Sequence, residues 1–296
     1  MARDLTASQI ERQNILNNTV ALPRIQEELS VKALEFEGRY VLTKQMVADY
    51  YGVDIRTISR YIENNQEELE HNGYFLCKGK TLKDFKLRFV QDIDVPKNTP
   101  QIGLFDFRSF LNIGMLLTES EKAKYVRSRI LDIVISTINE KTGGGTKYIN
   151  RRDREYLPAA IQEDNYRKNL TDAINKYVDG HKTYKYAQIT DMIYKVADKA
   201  AYLMFSLCRG HYFADCNKRI SITLTLYFLV KNGYMYLAKT FMERMEAIGY
   251  HVAAGHIDRD LLTEVMRSIV DDEDYSESTK LDLIAAMSQG LGFSDE

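Results

Sequence analysis

The stretch of residues 211–219, HYFADCNKR, brings together side chains that phosphate chemistry needs. His211 can take the proton from an attacking hydroxyl, because imidazole titrates nearest to neutral pH. Asp215 can hold Mg²⁺, a hard cation that prefers a carboxylate together with phosphate oxygens. Lys218 and Arg219 add positive charge, and a guanidinium can bind two phosphate oxygens at once. The stretch predicts a site that binds Mg²⁺ with ATP or another nucleoside triphosphate and transfers a phosphate-containing group to a hydroxyl.

Two predicted helices flank this stretch. Apolar residues between positions 189 and 204 recur at helical spacing, which predicts a core-facing helix that ends at Arg209 before Gly210. A second helix is predicted over 217–231 and ends at Asn232-Gly233. Because its apolar residues lie on all sides, we expect the second helix to be buried and central.

The start of the second predicted helix is a candidate anion site. The first N–H groups of a helix have no partner within the helix, and the positive end of the helix dipole lies there. Cys216, Asn217 and Lys218 can donate backbone N–H groups to phosphate, and the side chains of Lys218 and Arg219 add charge. We therefore assign Cys216, Asn217, Lys218 and Arg219 to nucleotide binding.

The stretch resembles the motif of the Fic/Doc family, which reads His-x-Phe-x-(Asp or Glu)-(Gly or Ala)-Asn-(Gly or Lys)-Arg. The resemblance extends over about 165–270 and is closest to the Doc branch, which also has Arg-Gly before the histidine and Lys in the eighth position. It implies an all-helical transferase that modifies a Ser, Thr or Tyr hydroxyl of a target protein. It also implies that His211 is the base and Asp215 the metal ligand. The matching positions are His211, Phe213, Asp215, Asn217, Lys218 and Arg219.

The chain departs from the family motif in ways that bear on the reaction. Cys216 replaces the usual Gly or Ala, and Tyr212 replaces a frequent proline. Many relatives that transfer AMP carry a second arginine where this chain has Ile222. Phosphoryl transfer is therefore expected over AMP transfer, which stays open as an alternative for the same site. The Doc branch further implies toxin behaviour and an antitoxin or other inhibitory partner. By resemblance, a hairpin at 180–187 would bind the target as an added strand.

The N-terminal half carries a predicted helix-turn-helix over 41–62, with Gly52 at the turn. Residues 38–138 resemble the RhuM-like family, and we expect a small hairpin at 74–80 as a basic wing. DNA binding is one hypothesis, and docking of a protein partner or dimerisation is the other. The residues that would contact DNA are Arg56, Thr57, Ser59, Arg60, Lys78 and Lys80.

The sequence as a whole predicts a mainly α protein, in which a winged-helix-like α+β domain precedes a helical Fic/Doc domain. We place a helical arm at 1–38, the helix-turn-helix domain at 39–140, a linker at 141–156, the Fic/Doc domain at 157–275 and a tail helix at 276–296. The linker is marked by a triple glycine.

Charge, cysteine content and hydropathy limit the function classes. With 40 basic and 42 acidic residues, the chain has no overall attraction to nucleic acid or to an anionic membrane. Three widely spaced cysteines without CxxC suggest neither disulfides nor zinc and favour the cytoplasm. No apolar run predicts export or a membrane span. A competing hypothesis is a DNA-binding regulator whose Fic fold senses nucleotide and is catalytically weak.

Overall fold

The computed structural model describes residues 4–89, 99–141, 182–210, 212 and 216–289, with the backbone alone for 182–194. The chain divides into two compact units, Met1–Val134 and Ile135–Glu296, which are described separately. The chain is mainly α-helical, and a small sheet lies in the N-terminal half, which confirms the predicted fold class. In the described parts of the chain, no helix combines the length and apolar character needed to cross a membrane.

The N-terminal unit begins with two short helices, α1 (Gln9–Leu16) and α2 (Ala21–Leu29). The side chain of Ser8 caps α1 by accepting the N–H of Glu11. Leu16 and Ile25 are fully buried, so these helices pack into the core of the unit.

A four-stranded antiparallel sheet forms the centre of this unit, in the order β1-β2-β4-β3. A tight turn at Glu37-Gly38, both with positive φ, joins the first two strands into a hairpin. The strands are β1 (Leu34–Phe36), β2 (Arg39–Thr43), β3 (Tyr74–Lys78) and β4 (Gln101–Phe105).

The predicted hairpin at 74–80 is wrong. Residues Tyr74–Lys78 form a single strand, which pairs with β4, and helix α6 (Gly79–Arg88) follows at once. Leu82, Phe85 and Phe89 of this segment lie at helical spacing and join a buried cluster under the sheet. Burial of these three side chains stabilises a helix where a returning strand was expected.

The remaining helices of this unit connect and cover the sheet. Between α3 and α4 the chain turns at Gly52, whose φ of 65° lies in the left-handed region, and Asp54 then caps α4. The last helix crosses the division between the two units. The bounds are α3 (Lys44–Tyr51), α4 (Ile55–Asn64), α5 (Gln66–His71), α7 (Phe107–Leu116) and α8 (Glu121–Lys141).

The described part of the C-terminal unit is helical. Helix α9 ends at Arg209 and α10 spans Asn217–Lys231, which confirms both predicted helix ends. Within the segment 276–296, where a tail helix was predicted, the described residues form α13. The bounds are α9 (Lys182–Arg209), α10 (Asn217–Lys231), α11 (Ala238–Ala254), α12 (Arg259–Val270) and α13 (Glu277–Ser288).

Two expectations for this unit are wrong. Residues 182–187 begin helix α9, so they do not form the target-binding hairpin, and residues 180–181 lie outside the described residues. Helix α10 is not buried on all sides, because Leu224 and Tyr227 are 41% and 59% exposed. Its buried side chains form one stripe, which contains Ser221, Ile222, Thr225 and Leu229.

Candidate functional site at the start of α10

The segment between α9 and α10 contains the predicted phosphate-transfer residues, and the structure describes both of its ends. The N–H of Gly210 donates to the carbonyl of Ser206 at 2.8 Å and closes the last turn of α9. A Cβ atom on Gly210 would lie 2.7 Å from this carbonyl oxygen and would also clash with the Tyr212 ring. These atoms are too close for any residue larger than glycine. Within this segment, His211, Phe213 and Asp215 lie outside the described residues.

The four residues assigned to nucleotide binding lie at the start of α10. Cys216 precedes the helix in the left-handed conformation, with φ of 63°, and its carbonyl accepts the N–H of Ile220 at 2.9 Å. The Cys216 side chain makes no capping hydrogen bond, and the first turn contains no acidic residue. Cys216 and Arg219 are exposed, while Asn217 and Lys218 are half-buried. The helix dipole, Lys218 and Arg219 therefore make this helix end positive, which suits an anion.

Lys218 is held in place by contacts with helix α11. A methyl group built on Gly249 would lie 3.4 Å from Lys218 Cγ and 3.0 Å from Ile222 Cδ1, so both side chains occupy the space that glycine leaves. The hydroxyl of Ser221 donates to the Lys218 carbonyl at 2.7 Å. The thiol of Cys208 donates to the Gly249 carbonyl at 3.7 Å, so α9, α10 and α11 meet at this point. The packing holds the methylene stem of the lysine, and the ammonium group extends beyond these contacts.

The pKa of Cys208 depends on burial and on the charges near this junction. Its thiol is buried, and burial raises its pKa, because the thiolate would lose its hydration. A hydrogen bond with Ser221 and the positive charges of Arg209 and Lys218 lower the pKa in part. Two cations thus lie close enough to this buried group to favour a negative charge.

The end of α9 is also attached to the end of α11. Arg209 donates to the Ala253 carbonyl at 3.3 Å, and its guanidinium lies 2.8 Å from where a methyl group on Gly255 would be. On the same helix end, the Nδ1 atoms of His251 and His256 are 3.1 Å apart, so they can share one proton. Burial, and then the charge of His256, lowers the pKa of His251 to about 4.

Sequence reasoning did not find Gly249, Cys208 or Arg209 as parts of the site. A weak signal was present for Gly249, because a glycine inside a helical pattern is less stable than alanine by about 1 kcal/mol. Arg209 was noted only as part of the Arg-Gly pair in the family resemblance, and no local signal marks Cys208. The contacts of both residues with α11 join positions about forty residues apart. In the described residues, no group of three or more His, Cys, Asp or Glu side chains could hold a metal ion.

The residues assigned to nucleic-acid contact lie on two segments of the N-terminal unit, α4 and the junction of β3 with α6. Arg56 is exposed at the start of α4, with Thr57 half-buried beside it. Arg60 forms an ion pair with Glu119. Ser59 accepts a hydrogen bond from Lys44 Nζ and donates to the Ile55 carbonyl, each at 3.0 Å. Lys78 ends β3 and Lys80 lies on α6, and both are exposed.

Comparison with known proteins gives one family. Residues 128–229, about a third of the chain, match the model of the Fic/DOC family, and the match runs from within α8 to near the end of α10. It supports a Fic-type domain, whose family generally transfers phosphate-containing groups to targets, and hence a transferase in general. Neither the comparison with curated proteins nor that with solved structures gives a match. The RhuM-like resemblance stays a prediction.

Proposed function

We propose that this chain transfers a phosphate-containing group from ATP, or another nucleoside triphosphate, with Mg²⁺ to a Ser, Thr or Tyr hydroxyl of a target protein. One observation carries the proposal: Cys216, Asn217, Lys218 and Arg219 lie together at a positive helix start. The family match over 128–229 includes this turn and supports the same assignment.

The residues at this helix start fit a nucleotide polyphosphate. The N–H groups of the first turn, with Lys218 and Arg219, bind phosphate oxygens, and Arg219 is exposed and can bind two of them. Such contacts hold the transferred phosphorus in line with the attacking oxygen, and positioning supplies most of the rate in phosphoryl transfer. Asp215 would hold Mg²⁺, which neutralises charge on the phosphates when bound.

His211 acts as the base in this proposal. It accepts the proton of the target hydroxyl as the new bond forms between the hydroxyl oxygen and phosphorus. In phosphoryl transfer, the bond that breaks joins the γ-phosphorus to the nucleoside diphosphate that leaves. In AMP transfer, the bond that breaks releases pyrophosphate.

The more specific proposal is that the site transfers a phosphoryl group, and the surroundings of Ile222 support it. Ile222 is 5% exposed and packs against Gly249, so its place on α10 presents no cation to a nucleotide. By resemblance, AMP-transferring relatives often carry an arginine at this position. AMP transfer by the same site is the alternative.

Cys216 favours a second candidate, a domain that binds nucleotide without efficient transfer. Its φ of 63° suits glycine, which the family often has there, and a residue with Cβ is strained in this conformation. The exposed side chain lies next to the proposed phosphate-binding N–H groups and would compete for their space.

Labelled ATP distinguishes these candidates. The purified chain is incubated with Mg²⁺, a cell lysate and ATP labelled at either the α or the γ phosphate, and labelled protein is measured for wild type and His211→Ala. We expect protein label from γ-labelled ATP that His211→Ala abolishes. Label from α-labelled ATP would identify AMP transfer.

A control variant and a measurement of ATP binding complete the experiment. Arg267→Ala changes an arginine on α12, whose guanidinium pairs with Asp198 and Glu264, and should keep the transfer. Absence of His211-dependent label from either nucleotide, with ATP still bound, would favour the nucleotide-sensing candidate.

A further inference from the structure

Helix α6 of the N-terminal unit has one face in the core and one basic face. Leu82, Phe85 and Phe89 of this segment lie in the buried cluster with side chains from the sheet. The opposite side presents Lys80 and Lys83 to solvent. Because the buried face anchors α6 on the sheet, the lysines extend from a rigid support.

The basic face has little acidic compensation. Between positions 78 and 88 the chain has five cationic side chains and one carboxylate, although the whole protein has a net charge of −2. In the described parts of the chain, no carboxylate pairs with Lys78, Lys80 or Lys83. Arg88 is also exposed, near the far end of the helix. We name these four residues, Lys78, Lys80, Lys83 and Arg88, the α6 basic face.

The dipole of α6 is unfavourable for the cations at its N-terminal end. Lys78 and Lys80 lie at the N-terminal end of α6, where the dipole is positive, and the first turn contains no acidic residue. Cations at this end destabilise a helix slightly, whereas carboxylates stabilise it. The positive charge is therefore concentrated at a helix end that already attracts anions.

The face of α4 has a different charge balance. Arg60 is paired with Glu119, so its charge is partly neutralised. Glu63 follows on the same helix and Glu67 on α5, and both are exposed. Carboxylates on this side would repel a polyanion.

We propose that the α6 basic face binds the phosphate backbone of duplex DNA, independently of base sequence. Lysine and arginine side chains that neutralise phosphates release counterions, and this release supplies sequence-independent affinity. A membrane surface fits the helix less well, because an interfacial helix needs an exposed apolar face. The apolar face of α6 is buried. Leu87, which is 78% exposed, is the one large apolar side chain that α6 presents to solvent.

Salt dependence tests this proposal on the full chain. The probe is a fluorescent duplex of about 20 base pairs with arbitrary sequence, and its anisotropy gives the affinity at several salt concentrations. If four phosphates are neutralised, affinity should fall about 100-fold between about 50 mM and about 200 mM salt. Lys80→Ala with Lys83→Ala should reduce this fall to about tenfold and weaken binding at low salt.

Two further variants make the test specific. Arg56→Ala with Arg60→Ala removes the same charge from α4 of the same unit, and it should leave both affinity and salt dependence as in wild type. Asp84→Asn removes the one carboxylate on α6 and should tighten binding. All substituted side chains are exposed, and circular dichroism confirms that each variant is folded.

The proposal is overturned if the wild-type chain does not bind the duplex at low salt, or if the α6 variant binds as tightly as wild type. It is also overturned if the α4 variant alone loses binding. Binding to phosphatidylserine vesicles without binding to the duplex would assign the face to a membrane and would equally reject the proposal. The transferase proposal is independent of all these outcomes, because it depends on the other unit.

Discussion

Gly249 is the residue whose substitution should most clearly connect packing with phosphate binding. In Gly249→Ala, the new methyl group would lie 3.0 Å from Ile222 Cδ1 and 3.4 Å from Lys218 Cγ. Carbon atoms prefer a separation of about 3.5–4.0 Å, so α10 side chains must shift by a few tenths of an ångström. The shift moves the stem of Lys218, one of the proposed phosphate-binding residues.

The size of the effect follows from two opposing contributions. Overpacking of a core typically costs about 1–3 kcal/mol. Alanine is better than glycine inside a helix by about 0.5–1 kcal/mol, which offsets part of this cost in α11. We expect a net loss of about 1 kcal/mol in the free energy of unfolding. Label transfer should fall about tenfold, because small displacements of positioning groups slow group transfer strongly.

A second substitution separates this contact from a general loss of stability. Ile222→Val removes Cδ1, the closest atom to the new methyl group, and by itself costs about 1 kcal/mol. In the double variant we expect the two costs not to add, with a favourable coupling of about 1 kcal/mol and recovered label transfer.

Urea unfolding and the labelled-ATP assay are measured for wild type, both single variants and the double variant. Additive losses in the double variant, or wild-type stability and transfer in Gly249→Ala, would refute the role of this contact.

Three other substitutions test separate features. Cys216→Gly should raise the free energy of unfolding by up to about 1 kcal/mol, as measured by urea unfolding, since glycine tolerates positive φ. Arg12→Ala should lower it by about 3–5 kcal/mol, because Glu68 would be left buried without the cation that now binds both its oxygens. The pKa of His251 is lowered from 6.5 to about 4, so the unfolded chain binds more protons in this range. Stability should therefore fall by about 3 kcal/mol as pH drops from about 6.5 to about 4, and His251→Leu should remove most of this dependence in urea titrations.

Local signals were sufficient for the helices around the site. The ends of α9 and α10 were predicted because Gly210 and Asn232-Gly233 are helix-stop signals that act within one turn. The identity of the nucleotide-binding residues also follows from adjacent positions. These residues lie in one helical turn, so their proximity does not depend on tertiary packing.

Non-local contacts account for the errors. Tyr74–Lys78 pairs with β4, whose residues come more than twenty positions later, so the sequence suggested a nearer partner for the strand. Residues 182–187 contain β-forming side chains but are continuous with a long helix, and helix propagation overrides weak local preference. The exposure of Leu224 and Tyr227 also depends on which elements pack against α10, and apolar periodicity alone cannot decide this.

Direct binding of Mg-ATP tests the central claim, that nucleotide phosphates bind at the start of α10. Calorimetric titration compares wild type with Arg219→Ala and His211→Ala. We expect wild type and His211→Ala to bind equally, and Arg219→Ala to bind at least about tenfold more weakly, since a hydrogen bond to a charged group contributes about 1.5–3 kcal/mol. Equal binding by Arg219→Ala, or no binding by wild type, would contradict the claim.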